Sequence, residues 1–257
     1  MKLVHQQPDS DLLQRFQNDR VLELGASDQH EHIEKLFVDA QDDLVDPQTQ
    51  EVFLEWTAQW RRELGNALPR GLLPRLRNRT STDAKGHKLS IQVSPGLYWI
   101  AKQHDWNGLG PNVVRLFTEL EVRQAEASTT FRTLLPLAHI PTFVTARVIG
   151  YRPGRQLGQR WHFDPSIATI IHREAHDSRL IAENAPSLPS GPQPTATMIM
   201  GAAASTVFPG VEPLRHAVLP IDQGTLRVSI TYFLWRAPAA WAGVVGLHPS
   251  SEETDAA

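Results

Sequence analysis

The chain has 257 residues, a formal net charge of -3, 41% hydrophobic and 21% charged residues, and no cysteine. That length suits one large globular domain, the charge gives no general pull toward nucleic acid, and no apolar run approaches the ~20 residues that span a bilayer. Without cysteine there are no disulfides and no thiolate ligands, so any metal site has only His, Asp and Glu to draw on.

The N-terminus, MKLVHQQPDSDLL, has one lysine and then turns polar, without the basic and apolar regions of a secretory signal, so a cytoplasmic location is expected. DSDLLQRFQND reads as a short capped helix and VLEL as a buried strand. HEH at 30–32 stands at the head of a polar helix and is expected to be solvated. DPQTQEVFLEWTAQWRREL is a helix with Asp46 as N-cap, Pro47 at the first helical position, and Val52, Trp56, Trp60 and Leu64 on one face. The locally basic stretch 70–88, RGLLPRLRNRTSTDAKGHK, reads as a solvated loop whose Arg stems cover the core, with contact to an anionic substrate as the alternative. A second long helix follows in GPNVVRLFTELEVRQAEASTTFRTLL, where Val113, Leu116, Phe117 and Leu120 keep helical spacing.

The period then changes. TFVTARVIGY, SIATIIHRE, TATMIM, ASTVF, HAVLP and TLRVSITYFLW are strand-like runs separated by Pro, Gly or Ser. Successive strands without intervening helices predict an antiparallel sandwich, barrel or jelly roll. NAPSLPSGPQPT (184–195) reads as a loop that could act as a lid, and 249–257 as a disordered tail. The chain thus reads as one domain of α+β class with a mainly β core: residues 1–140 form a mainly helical support region with one strand near its start, and 141–238 the β core.

The stretch QRWHFDPSIATII places His162 and Asp164 two residues apart, on one face of a strand, where ionisable groups need a partner. Two imidazoles and a carboxylate with open positions are the ligand pattern of non-haem Fe(II) oxygenases. His216, which opens a short apolar run, is the candidate third ligand. Arg227 and Ser229 share a face of the last strand, and a guanidinium in an apolar strand calls for an anion such as a ligand carboxylate. HREAH (172–176) has its Glu in the third place rather than the second required by the zinc-protease H-E-x-x-H, so its histidines read as surface or core residues.

The ordered set HFD, His216 and RVS resembles the H-x-D…H…R-x-S pattern of the isopenicillin N synthase-like family of Fe(II)/2-oxoglutarate oxygenases. VIGYRPG followed by HFDPSIATII is similar to that family's Tyr-Pro element and H-x-D-P strand, and MIMGAAASTVFPGVEPLRHAV to the segment before its distal His, so the resemblance covers residues 110–236. It departs at GAAAS, where Gly-Asp is common, and at DSRLIAENAP, where Gly-Leu-Gln-Val is usual. The resemblance implies a double-stranded β-helix (jelly roll, cupin-like) with the helical half packed on it. It implies Fe(II) on His162, Asp164 and His216, 2-oxoglutarate held by Arg227 and Ser229, and O2 as co-reactant. Tyr151 is either a core tyrosine or a hydrogen-bonding partner of the cosubstrate. A small metabolite or natural-product intermediate would be hydroxylated, desaturated or cyclised, with succinate and CO2 as coproducts; Asp164 disfavours halogenation, since related halogenases have a small residue there. Phe163, Arg152, Arg160, His172 and Phe233 are candidate substrate residues. A same-fold Fe(II) oxidase that uses Arg227 and Ser229 for its substrate's carboxylate, and a non-catalytic binding module, are the alternatives. No nucleic-acid or membrane partner is expected, and oligomeric state is left open.

Overall fold

The computed structural model describes residues 14, 16, 18, 20–26, 29–64, 79–82, 88–137, 139–151, 159–174, 179–183, 192–219 and 226–237. Most of the expected helix DSDLLQRFQND, most of the 184–195 loop and the C-terminal tail lie outside them.

The helices begin where the sequence supplies start signals. α1 (His30–Asp39) and the short α2 (Gln41–Val45) are followed by α3 (Pro47–Leu64), before which the Asp46 carboxylate accepts the Thr49 N–H at 3.0 Å. α4 (Pro95–Gln103) and α5 (Pro111–Leu134) each open on proline. α5 buries Val113, Leu116, Phe117, Leu120, Gln124, Ala127 and Phe131, a stripe at i, i+3, i+4 and i+7 that defines its inner face.

Among the described residues, ten strands form two antiparallel sheets. β1 (Val21–Ala26), β2 (Arg79–Thr82), β3 (Lys88–Val93), β4 (Thr142–Tyr151), β6 (Ala168–Arg173), β8 (Thr195–Met200) and β10 (Arg227–Arg236) make a seven-stranded sheet in the order β1-β8-β6-β10-β4-β3-β2. β5 (Gln159–His162), β7 (Leu180–Ala182) and β9 (His216–Val218) make a three-stranded sheet in the order β5-β9-β7. From β4 to β10 successive strands therefore alternate between the large and the small sheet. The longest pairing joins β10 to β4 over all ten residues, from Arg227↔Tyr151 to Arg236↔Thr142.

Alternation along β10 separates two environments. Val228, Ile230, Tyr232 and Leu234 belong to the main core with Val113, Phe117 and Leu120 of α5, while Arg227, Ser229, Thr231 and Phe233 face the small sheet. The helical layer is pinned to the large sheet by hydrogen bonds to strand carbonyls: Gln124 Nε2 donates to Val144 O at 2.7 Å, and His30 Nε2 to Val228 O at 2.9 Å. His30 is fully buried, contrary to the solvated position expected of HEH; only His32 of that pair is exposed. A histidine at the first position of a helix can reach inward across the turn, which linear pattern does not reveal.

Two further expectations are corrected. Part of the 70–88 stretch, Arg79–Thr82, is strand β2 paired with β3, where the β-branched Thr80 and Thr82 suit extended backbone. ASTVF is not a strand: Ala204–Thr206 is a 3-10 turn. Among the described residues no helix is long and apolar enough to cross a membrane.

Candidate metal centre

A cavity of about 460 Å³, part of it open to solvent, lies between the two sheets. β4, β6 and β10 contribute Arg147, Ile149, Tyr151, Ile171 and Arg227; β5, β7 and β9 contribute His162, Leu180, His216 and Val218 from the opposite side.

His162, Asp164 and His216 converge here, each offering one ligand atom with all three atoms within 4.8 Å of one another. His162 and His216 are register partners across β5 and β9, with ring centroids 4.3 Å apart. His162 Nε2 is 3.4 Å from Asp164 Oδ1, and His216 Nε2 is 3.7 Å from Asp164 Oδ2. Asp164 does not share a strand face with His162, as the sequence spacing suggested: β5 ends at His162, and Asp164 sits in the turn that crosses to β6. That turn swings the carboxylate back toward the two imidazoles.

Main-chain hydrogen bonds hold the turn. Gly201, Ala202 and Ala203 donate their N–H groups to the carbonyls of Ile167, Asp164 and Ser166 at 2.9, 2.6 and 3.0 Å. A Cβ on Gly201 would stand 2.2 Å from Ser166 O, so the close approach requires glycine. The GAAAS segment, at which the sequence departs from the resembled pattern, is therefore the clamp on the Asp164 turn.

Both histidines are oriented by carbonyls. His162 Nδ1 lies 2.7 Å from Arg160 O and His216 Nδ1 3.2 Å from Leu214 O. A carbonyl can only accept, so each Nδ1 carries the proton and each Nε2 presents its lone pair to the centre. Burial lowers the His216 pKa, with the positive form of His162 adding to the effect and Asp164 opposing it only in part. Burial by itself would raise the Asp164 carboxyl, but in the metal-free centre the hydrogen bond from protonated His162, the charge of protonated His216 and the Thr169 hydrogen bond outweigh it and hold the group below its usual range. Neutral imidazole and ionised carboxylate are the forms that bind metal, and two such nitrogens with one oxygen fit a divalent iron with positions left open.

Arg227 is 1% exposed and its guanidinium carbon lies 5.2 Å from the ring centroid of Tyr151, its register partner. Ser229 follows on the same face of β10. Of the other candidates, Phe233 lines the cavity, Phe163 is 46% exposed beside it in the turn, and Arg160 is exposed on β5 with its carbonyl taken by His162. Arg152 lies outside the described residues, as does His176 of HREAH. His172 faces the helical side of the sheet, edge-on to Tyr232 at 5.4 Å, because alternation gives the cavity to its neighbour Ile171. Sequence reasoning missed Arg147, although a single charge in the ten-residue strand TFVTARVIGY was the available signal.

No family model and no curated protein sequence matches the chain. Among solved structures it is similar to a candidate oxygenase from Shewanella oneidensis, at 16% identity and a TM-score of 0.52 over 91% of this chain and 89% of that one. It is also similar to a candidate 2OG-Fe(II) oxygenase family protein from Caulobacter crescentus, at 17% identity and 0.51 over 88% and 81%. A full-length Neurospora crassa protein in complex with alpha-KG and 5-formyluracil matches at 16% identity and 0.50 over 88% and 77%. The fold is that of the 2OG-Fe(II) oxygenases. Within this oxygenase fold the trio His162, Asp164 and His216 occupies one side of the inter-sheet cavity and Arg227 the other.

Proposed function

We propose that the protein is a cytoplasmic Fe(II)/2-oxoglutarate-dependent dioxygenase of the isopenicillin N synthase-like group. In this reading it is a single double-stranded β-helix domain that oxidises a small metabolite or natural-product intermediate. The observation that carries the proposal is the convergence of two carbonyl-oriented imidazoles and a buried carboxylate in the cavity that also holds a buried arginine.

His162 and His216 bind Fe(II) through Nε2 and Asp164 through its carboxylate. Arg227 and Ser229 receive the distal carboxylate of 2-oxoglutarate, and the Tyr151 ring keeps the guanidinium in place by packing against it. Bound together, iron and 2-oxoglutarate supply the activation of O2 that hydroxylates, desaturates or cyclises a substrate, with succinate and CO2 as coproducts. The chain's own part is to hold both groups in fixed orientation and to line the centre with the apolar side chains of Ile149, Ile171, Leu180 and Phe233.

Anaerobic titration with Fe(II) and 2-oxoglutarate tests the reading. A weak visible charge-transfer band is expected, followed by succinate release when air is admitted. No band removes the cosubstrate assignment; a band-free protein that still consumes O2 with a carboxylate substrate would be a same-fold oxidase in which Arg227 and Ser229 hold that substrate.

A further inference from the structure

Arg147 lines the same cavity as Arg227 and has no place in the ligation just described. It is partly buried in β4, where Ala146, Val148 and Gly150 alternate to the other face and Arg147, Ile149 and Tyr151 face the cavity. Its register partners are Thr231 on β10 and Gln92 on β3, and one guanidinium nitrogen lies 3.4 Å from the hydroxyl of buried Ser90. The cavity wall thus runs from Thr231 on β10 to Arg147 on β4, and the guanidinium reaches from there to Ser90 on β3.

Arg147 and Arg227 do not serve one ligand group. Arg227 pairs with Tyr151 and Thr231 with Arg147, four residues further along β10, a separation on the order of 13 Å along the strand. A five-carbon dicarboxylate fixed at Arg227 and at the metal does not also extend to Arg147. The turn bearing Asp164 enters beside Leu234, whose carbonyl accepts the Ile167 N–H at 2.8 Å, so Arg147 is nearer than Arg227 to the end of the cavity where that turn arrives. A guanidinium in a partly desolvated cavity wall, with one nitrogen at 3.4 Å from a serine hydroxyl, carries a fork that suits an oxyanion.

We propose that Arg147 receives an anionic group of the substrate, a carboxylate or a phosphate ester, and so restricts this oxygenase to acidic substrates. The inference rests on the reading of the site as a metal- and 2-oxoglutarate-binding centre. Its test uses the full chain loaded with Mn(II) and 2-oxoglutarate, so that Arg227 is already occupied. Matched trios are compared by change in Tm and by titration: butyrate, ethyl phosphate and butyramide; phenylacetate, phenyl phosphate and phenylacetamide. The anions are expected to bind and the amides not, with the two anion arms telling carboxylate from phosphate. R147M should weaken the anions by roughly tenfold or more, and R147K, which keeps the charge without the fork, should fall between. The Fe(II)/2-oxoglutarate band of each variant certifies that its site is folded. Equal binding of amides and anions, no binding of any anion, or anion binding undiminished in a band-competent R147M would overturn the proposal. If the wild-type protein gives no band, the cosubstrate reading fails by itself, and the same trios on the unloaded protein still decide the role of Arg147.

Discussion

Each polar side chain of the centre has a separable task. Asp164 is 6% exposed between two histidines, and removing its carboxylate leaves the two imidazoles without their only anionic neighbour in the trio. D164A is expected to lose the Fe(II)/2-oxoglutarate band and turnover together; a variant that kept full turnover would remove Asp164 from the ligand set. On the proposed reading R227M deletes a charge-assisted contact worth about 1.5–3 kcal/mol, so 2-oxoglutarate affinity should fall by roughly 10–100-fold while metal binding persists. The two titrations, with metal alone and with metal plus 2-oxoglutarate, separate these effects. His162, Asp164, His216 and Arg227 were legible because an ionisable residue in an apolar run is conspicuous in one dimension. His172 and Arg147 were not sorted correctly from the same signal. Which of two adjacent residues faces the cavity depends on which face of the strand is covered by helices, and that parity is fixed by register with β10.

Among the elements, the connection between β5 and β6 decides whether the site forms. Its carbonyls are held by three successive N–H groups of the Gly201–Ala203 segment, and the 2.2 Å approach at Gly201 leaves no room for a methyl group against rigid backbone. G201A should destabilise the fold by about 1–3 kcal/mol or more, in the range of other overpacked positions. Because the strain falls on the Asp164 turn, metal affinity measured well below the Tm should fall as well. Normal metal affinity in a G201A protein would show that the turn tolerates displacement. The sequence reading erred on this neighbourhood twice, taking ASTVF for a strand and His162 and Asp164 for one strand face. Both errors have one cause: the chain uses its backbone here, and side-chain periodicity carries no record of that. The helices α3 and α5, by contrast, announced themselves through caps and apolar stripes that the fold uses as written.

For the whole molecule, a metal that binds only the folded state should raise stability. At a concentration 100 times Kd the gain is about 2.7 kcal/mol, which for a chain of this size corresponds to roughly 5–10 °C in Tm, reversed by chelation. Without metal, acid should be destabilising. The His216 pKa is depressed on folding, so below about 6.5 the unfolded chain takes up a proton that the folded one resists. The depressed Asp164 acts in the same direction: its contribution is present above about 3.9 and disappears as pH falls through its lower folded value. Tm of the metal-free protein should therefore decline from about pH 6.5 downward; a Tm that rose on acidification would contradict both shifts. The β-type runs after residue 141 and the long helices α3 and α5 follow their periodicity, whereas β2, β3 and α4, which extend the large sheet and cover it, were not singled out in the sequence; with β1, strands β2 and β3 carry the large sheet into the first half of the chain.

The bonds that aim the centre end on peptide groups: Arg160 O and Leu214 O for the imidazoles, Ala202 N–H for the Asp164 carbonyl, Val228 O for the helix that backs the last strand. A peptide group is present whatever the side chain. The geometry can therefore survive replacement of nearly every residue around it, provided a few positions such as Gly201 stay small. Such a scaffold is free to drift in sequence while its chemistry stays put, and substrate choice is left to the minority of wall positions where side chains make the contacts.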